Sequence, residues 1–154
     1  MTTVPVSAPP RAIQRFEVSL KAFIVRGDGR ALFVRESETK YWELPGGRID
    51  VGEERLEHER ILAREIAEEL GASFGVSVGD DAVTWTRQRP TDGVFQFIVG
   101  RICRLVDGEP ALSEEHDELA WLDASAALGL EFPPLSGYQE ALEALWRLAA
   151  RIAR

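Results

Sequence analysis

The chain has 154 residues, with 18 Lys and Arg against 26 Asp and Glu, so its formal net charge is −8. This length suits one domain, and an apolar content of 45% can build a core without disulfide or metal staples. A negative far field repels polyanions, which argues against binding to polymeric nucleic acid or to an anionic membrane surface. A single cysteine excludes an intrachain disulfide and fits a cytoplasmic location.

The first third of the chain predicts strands followed by a glycine-rich break. Residues 1–15 contain three prolines and lack the apolar run of a signal peptide, so we expect a flexible lead-in before a single domain over residues 16–154. Phe16–Arg26 and the RALFVRE run after it are rich in β-branched and aromatic residues and predict a hairpin. A short strand is expected at Tyr41–Leu44. Pro45-Gly46-Gly47 should end it, because proline removes a hydrogen-bond donor.

The rest of the chain predicts two helices and three further strands. Glu54–Leu70 has helical periodicity and is followed by Gly71, the residue type that favours a helix C-terminus. Strands are expected at Ala82–Gln88, Val94–Leu105 and Leu119–Leu122. Several strands with two helices predict a layered α/β (α+β) domain.

The closing helix shows the clearest periodicity. Ser136 and Gln139 have the spacing of a capping box at its start. Apolar residues then recur every three or four positions and predict one stripe that packs on the sheet. The stripe consists of Tyr138, Leu142, Leu145, Ala149 and Ile152.

The first helix combines an apolar arc with an acidic one. At about 100° per residue, one arc that we expect to be buried collects the apolar side chains. Its members are Leu56, Leu62, Ala63, Ile66, Ala67 and Leu70. Glu65, Glu68 and Glu69 share a second arc, where their carboxylates can converge. Arg64 stands beside them with a planar guanidinium that could orient one or two carboxylates. This is metal-site geometry, although glutamate-rich helix faces more often mean only a solvated surface.

The acidic helix belongs to a longer pattern. Gly47, five residues and Glu53, followed later by the run REIAEELGA at residues 64–72, resemble the Nudix box of the Nudix hydrolases. The run matches REUxEExGU at every specified position, and the WELPGG segment at residues 42–47 resembles the segment that introduces the box. The resemblance implies a Nudix-like α/β/α sandwich with a mixed β-sheet.

The spacing within the box differs from that of the family. Seven residues usually separate the glutamate of the GE pair from the arginine, whereas ten separate Glu53 from Arg64. The three extra residues amount to nearly one helical turn if they are helical. We expect a loop to absorb them, because the helix glutamates keep their mutual spacing. The Glu53–Arg64 ion pair of the family is left open.

The resemblance implies divalent-metal-dependent hydrolysis of a diphosphate linkage in a small-molecule nucleoside diphosphate derivative. Mg²⁺ or Mn²⁺ is the expected cofactor, because hard cations prefer oxygen ligands. Its expected ligands are Gly46, through the backbone carbonyl, Glu65, Glu68 and Glu69. The implied catalytic residues are Glu65, Glu68, Arg64 and a distal glutamate, for which Glu118 is the first candidate and Glu115 the second.

Weaker signals surround this set. Trp42 is a candidate for stacking on a base, although an aromatic residue at a strand end more often packs at the core or its rim. Arg48 is a candidate for contacting phosphate, with simple solvation as the alternative. His58 is expected to be a surface histidine, and Cys103 a small core residue.

Two other functions stay open. A catalytically inactive Nudix-like nucleotide-sensing or partner-binding domain is supported by the insertion and opposed by the intact REIAEELG. Isomerisation of isopentenyl diphosphate, which related folds perform, ranks last because Cys103 has no recognisable context for it. The sequence does not identify the nucleotide, and a homodimer is compatible with it.

Overall fold

A computed structural model describes residues 10–153 and centres on a mixed seven-stranded sheet. Its main strand order is β3-β2-β1-β6-β5, with β4 paired to β1 and β7 paired to β2. Strands β1 and β6 are parallel, and the other pairs are antiparallel. The strands are β1 Glu17–Val25, β2 Ala31–Glu36, β3 Trp42–Glu43, β4 Gly46–Arg48, β5 Gly75–Gln88, β6 Phe95–Asp107 and β7 His116–Leu122. The helices are α1 His58–Leu70, α2 Ala124–Ala127 and α3 Tyr138–Ile152.

The central strand β1 joins two apolar cores. Because successive side chains of a strand point to opposite faces, Leu20 and Ile24 pack with α1 on one side of the sheet. Phe23 packs with α3 and α2 on the other side. Burial on both faces explains why the strand has an almost continuous apolar run. The two helical layers give the α/β/α sandwich that the sequence predicts.

Helix α1 begins later than its periodicity suggests. It starts at His58 rather than at Glu54, and the residues before it form turns between β4 and α1. The three extra residues of the box therefore lie in a loop, as expected. Strand β4 was not predicted. Gly46 and Gly47 were expected only to end a strand, but they pair with Lys21 and Leu20 of β1.

Strand and terminus boundaries also differ. Strand β5 starts at Gly75, seven residues before the predicted Ala82, because β6 continues as its partner as far as Asp107. Of the expected lead-in, residues 1–9 lie outside the described part of the chain. Residues 10–15 are exposed and belong to neither a helix nor a strand.

Helix α3 has the predicted apolar stripe but not the predicted cap. Tyr138, Leu142 and Leu145 are buried, whereas Ile152 at the helix end is 37% exposed. The N-cap residue is Gly137, with a φ of 65°, and within residues 10–153 no side chain caps the helix. Ser136 therefore lies one position too early for a capping box. Among the described residues, no helix is both long and apolar enough to cross a bilayer.

Candidate active site

The acidic residues of α1 are less exposed than the sequence pattern suggests. Glu69 is buried and lies in the same arc as the buried Ile61 and Leu62. Ala63 and Ala67, expected in the apolar arc, are exposed. The buried face is centred on the side where the sheet and the glycine strand β4 cover the helix. Only glutamates that meet a partner there can be buried at acceptable cost.

Strand β4 supplies that partner through its two glycines. The backbone N–H of Gly46 donates to Oε2 of Glu69 over 3.1 Å. Gly46 has a φ of +136°, and a Cβ there would lie 2.1 Å from the carbonyl oxygen of Leu20. A Cβ on Gly47 would lie 2.5 Å from the carboxylate of Glu65. The two glycines thus allow the β4 backbone to approach the carboxylates of Glu69 and Glu65 closely.

A chain of buried charges lies beside the glycines. The Lys21 ammonium donates to the carbonyl oxygen of Gly46 and to Oε2 of Glu43, both over 3.3 Å. Oε1 of Glu43 lies 3.1 Å from Nε2 of His116. A ring nitrogen of His116, one oxygen of Glu69 and one oxygen of Glu115 all lie within 4.8 Å of one another. Sequence reasoning missed Lys21, Glu43 and His116, although a lysine inside the apolar run of β1 was a signal.

Burial and charge shift the acid–base properties of this group in opposite directions. Burial raises the pKa of Glu69 to about 7, despite attraction from Lys21 and His116. Burial also acts to raise the pKa of Glu43, but the charge of Lys21 and the hydrogen bond with His116 outweigh it and hold that pKa at about 2. Burial would lower the pKa of Lys21, and the charge of Glu43 keeps it above its usual value. Near neutral pH, Glu43 and Lys21 form an ion pair, whereas Glu69 has its pKa raised into the neutral range.

Arg64 links the loop to the helix. Its guanidinium binds both carboxylate oxygens of Glu53, over 2.8 and 3.0 Å. The Glu53–Arg64 ion pair of the family therefore forms despite the three extra residues. Arg64 also pairs with Glu65 at 3.0 Å and Glu68 at 3.1 Å, and Asp50 lies 3.7 Å away. The bond to Glu53 contributes most to raising the pKa of Arg64. Hydrogen bonds from the backbone N–H of Asp50 and from Arg64 lower the pKa of Glu53.

A cleft of about 380 Å³ opens beside Lys21, Gly46 and Glu69, whereas Glu65 and Glu68 are not among the residues that line it. Strands β1, β4 and β5, with the turn that follows β5, contribute basic side chains to its lining. The segments after β2 and before β7, together with α1, contribute acidic ones. The basic residues are Lys21, Arg48, Arg87 and Arg89, and the acidic ones include Glu69, Glu114 and Glu115. Six glutamates line the cleft against these four basic residues, so the basic side chains form one part of a lining that also has acidic parts.

The two candidates for the distal glutamate have different surroundings. Glu115 lines the cleft and lies in the cluster with Glu69 and His116. Glu118 lies on β7, where its half-exposed carboxylate pairs with Arg35 at 3.0 Å. The geometry therefore favours the second candidate over the first.

The two candidate substrate-binding residues also separate. Arg48 lines the cleft and pairs with Glu17 at 3.2 Å. Trp42 packs against the core beside α3, and the Arg35 guanidinium lies 6.0 Å from its ring centroid. Trp42 is thus half-buried against the core and is not among the residues that line the cleft.

The donor types suit a hard divalent cation, although Glu65, Glu68 and Glu69 do not converge as the helix pattern predicts. Among the described residues, the acidic or histidine group whose ligand atoms all lie within 4.8 Å of one another is Glu69, Glu115 and His116. Glu65, Glu68 and Glu69 offer carboxylate oxygens on one side of α1, and the carbonyl of Gly46 faces the Lys21 ammonium beside them. The space beside Gly47, which a Cβ would fill, leaves the Glu65 carboxylate next to the strand backbone. Oxygen-rich sites of this kind suit Mg²⁺ or Mn²⁺.

A mixed sheet between helices, with a glycine strand seated on an acidic helix, defines a Nudix-type α+β domain. The NUDIX domain family matches residues 15–144, and the chain belongs to this family. A MutT-like protein of Streptomyces ambofaciens is 32% identical over 105 residues, which cover 68% of this chain and 62% of that protein. A putative 8-oxo-dGTP diphosphatase 2 of Mycobacterium tuberculosis is 34% identical over 98 residues, covering 60% of this chain and 61% of that protein. The chain thus spans about three fifths of the length of these curated relatives.

Solved structures show the same fold over nearly the whole chain. The MutT protein of Methanosarcina mazei Go1 is 25% identical with a TM-score of 0.66, covering 90% of this chain and 99% of that one. The Escherichia coli ORF135 protein is 27% identical with a TM-score of 0.65, covering 95% and 98%.

Proposed function

We propose that the chain hydrolyses a diphosphate linkage in a nucleoside diphosphate derivative and requires a divalent cation. The observation that carries the proposal is the contact of Gly46 and Gly47 with Glu69 and Glu65, in a Nudix box whose REIAEELG run is intact. This contact joins the backbone carbonyl expected to bind the metal to the helix that carries the carboxylates. It occurs despite the longer spacing between Glu53 and Arg64.

The residues divide into three roles. Gly46, Glu65, Glu68 and Glu69 hold Mg²⁺ or Mn²⁺, and the bound cation would neutralise diphosphate oxygens and lower the pKa of a water. Arg64 orients Glu65 and Glu68 through its ion pairs. We assign the distal glutamate to Glu115 rather than to Glu118, because Glu115 faces the cleft.

The phosphate chain of the substrate is assigned to the basic part of the cleft. Arg48 and Arg89 both pair with Glu17, and Arg87 donates to Oε1 of Gln96 over 2.5 Å, so these side chains are already held near the cleft. Guanidinium groups fixed in this way suit phosphate oxygens. The name of the mycobacterial relative makes 8-oxo-dGTP the first compound to test. A cytoplasmic location and a homodimer remain predictions.

The structure supports hydrolysis over the two other functions. The insertion lies in a loop and leaves the spacing of the helix glutamates intact, so it gives the sensor hypothesis little support. Burial raises the pKa of the Cys103 thiol to about 12, which makes it a poor participant in isomerase chemistry.

The test is turnover of a substrate panel with Mg²⁺ or Mn²⁺. The panel holds 8-oxo-dGTP, the ordinary nucleoside triphosphates, dinucleoside polyphosphates, nucleotide sugars and ADP-ribose. We expect hydrolysis of at least one member, abolished by chelation. Glu115→Gln should lower kcat more than Glu118→Gln, and Glu59→Gln, an exposed position on the same helix, serves as the control. A folded, metal-replete protein that binds a nucleotide but releases no product from any member would support the sensor instead.

A further inference from the structure

His116 begins β7 and is almost completely buried, with 2% of its side chain exposed. One of its ring nitrogens lies within 4.8 Å of carboxylate oxygens of Glu69 and Glu115. His116 lies outside the Nudix box at residues 47–72. The ring therefore calls for an explanation of its own, because buried imidazoles usually have both nitrogens engaged.

Glu43 fixes the role of one ring nitrogen. Glu43 is held ionised by Lys21 at 3.3 Å, and an ionised carboxylate can only accept a hydrogen bond. Nε2 of His116, 3.1 Å from Glu43, is therefore the donor. This leaves Nδ1, which is buried and has no hydrogen-bond partner within residues 10–153. A buried nitrogen without a partner is costly unless something else occupies it.

We propose that His116 supplies a nitrogen ligand to a divalent cation that Glu69 and Glu115 hold with it. Histidines that bind metals usually donate their second N–H to a carboxylate, which fixes the ring and increases its basicity. Glu43 makes that contact here, and Lys21 in turn holds Glu43. The inference rests on the proposed function in one respect: Glu69 is also one of the oxygen ligands proposed there, with Gly46, Glu65 and Glu68.

This donor set differs from the oxygen-only set in its metal preference. Imidazole is a softer ligand than a carboxylate or a carbonyl and favours later transition metals over Mg²⁺. The cation held by His116 should therefore be Mn²⁺ in preference to Mg²⁺. A second cation on Glu65 and Glu68 would keep oxygen ligands alone.

The chain has two histidines, which makes the test direct. His58→Asn, at the half-buried first residue of α1, leaves His116 as the only imidazole of the protein. Pulsed EPR of Mn²⁺ bound to this variant, freed of any affinity tag, should show the nitrogen-14 modulation of a coordinated imidazole. His116→Asn should lose the modulation and bind Mn²⁺ about tenfold or more weakly. The loss of Mg²⁺ affinity should be smaller.

The outcomes separate this inference from the proposed function. Bound Mn²⁺ without imidazole modulation in the His58→Asn protein overturns the role of His116 and leaves the hydrolase proposal standing. A folded parent that binds neither Mn²⁺ nor Mg²⁺ overturns the metal-dependent function itself. If His116→Asn does not fold, as judged by circular dichroism, the spectrum of His58→Asn alone decides.

Discussion

Replacing Glu69 with glutamine removes a buried carboxyl whose pKa is about 7 in the folded protein, against 4.5 for an ordinary glutamate. Between the two pKa values, the folded state keeps a proton that the unfolded state has lost. Proton binding therefore stabilises the folded state, and this contribution is complete below the unfolded pKa. The contribution disappears as the pH rises through the folded pKa. The full shift corresponds to about 3 kcal/mol, of which about 2 kcal/mol falls between pH 5.5 and 8.5. Glutamine does not titrate, so the variant lacks this part of the pH dependence.

Urea unfolding in the presence of a chelator measures the difference. Between those two pH values, the free energy of unfolding of the parent should fall by about 2 kcal/mol more than that of Glu69→Gln. Glu68→Gln, which removes an exposed carboxylate, should retain the parental slope. Millimolar Mg²⁺ should stabilise the parent more at pH 8.5 than at pH 5.5, because it replaces the lost proton. Equal slopes for the parent and Glu69→Gln would refute the reasoning.

Three further predictions concern the same site. Glu68→Gln should lower kcat by about 100-fold in steady-state assays, because it removes a metal ligand. It should change the free energy of unfolding by less than about 0.5 kcal/mol, because the carboxylate is 57% exposed. A near-normal kcat at saturating metal would contradict the ligand assignment. Gly47→Ala should lower turnover and metal affinity by displacing the end of a flexible glutamate, whereas Gly46→Ala should also lower the melting temperature, because its Cβ meets backbone; equal melting temperatures would contradict this. Arg64→Lys should loosen the loop through loss of the two-point bond to Glu53, measured as faster amide exchange around residues 50–57; unchanged exchange would mean that the ion pair does not restrain the loop.

Much of the fold was predictable because its signals are local. The strands of the hairpin and the stripe of α3 follow from periodicity, and the box identified the acidic helix. The pairing of Gly46 with β1 was not predictable in this way, because it depends on a partner 25 residues away in the chain. The boundary of β5 at Gly75 likewise depends on the length of β6.

The burial of Glu69 shows where helix patterns fail as a guide to the site. Around the helix axis, Glu69 lies between the buried Ile61 and Leu62, so its position is inside the apolar arc. Glutamate side chains are nevertheless mostly exposed in proteins, so its residue type predicts a surface position. What decides its position is the N–H of Gly46, a backbone group that no side-chain pattern reports. Lys21 and His116 are similar cases, since each owes its burial to a charged partner from a distant segment.

The four carboxylates around Arg64 are assembled before any metal or substrate arrives. A guanidinium on the helix holds the loop and the helix acids together, so the protein meets part of the entropic cost of gathering ligands when it folds. Metal uptake at Glu65 and Glu68 then becomes an exchange of partners rather than an ordering of chain. Calorimetry of Mg²⁺ binding should accordingly give a heat-capacity change near zero, since little apolar surface is buried in such an exchange.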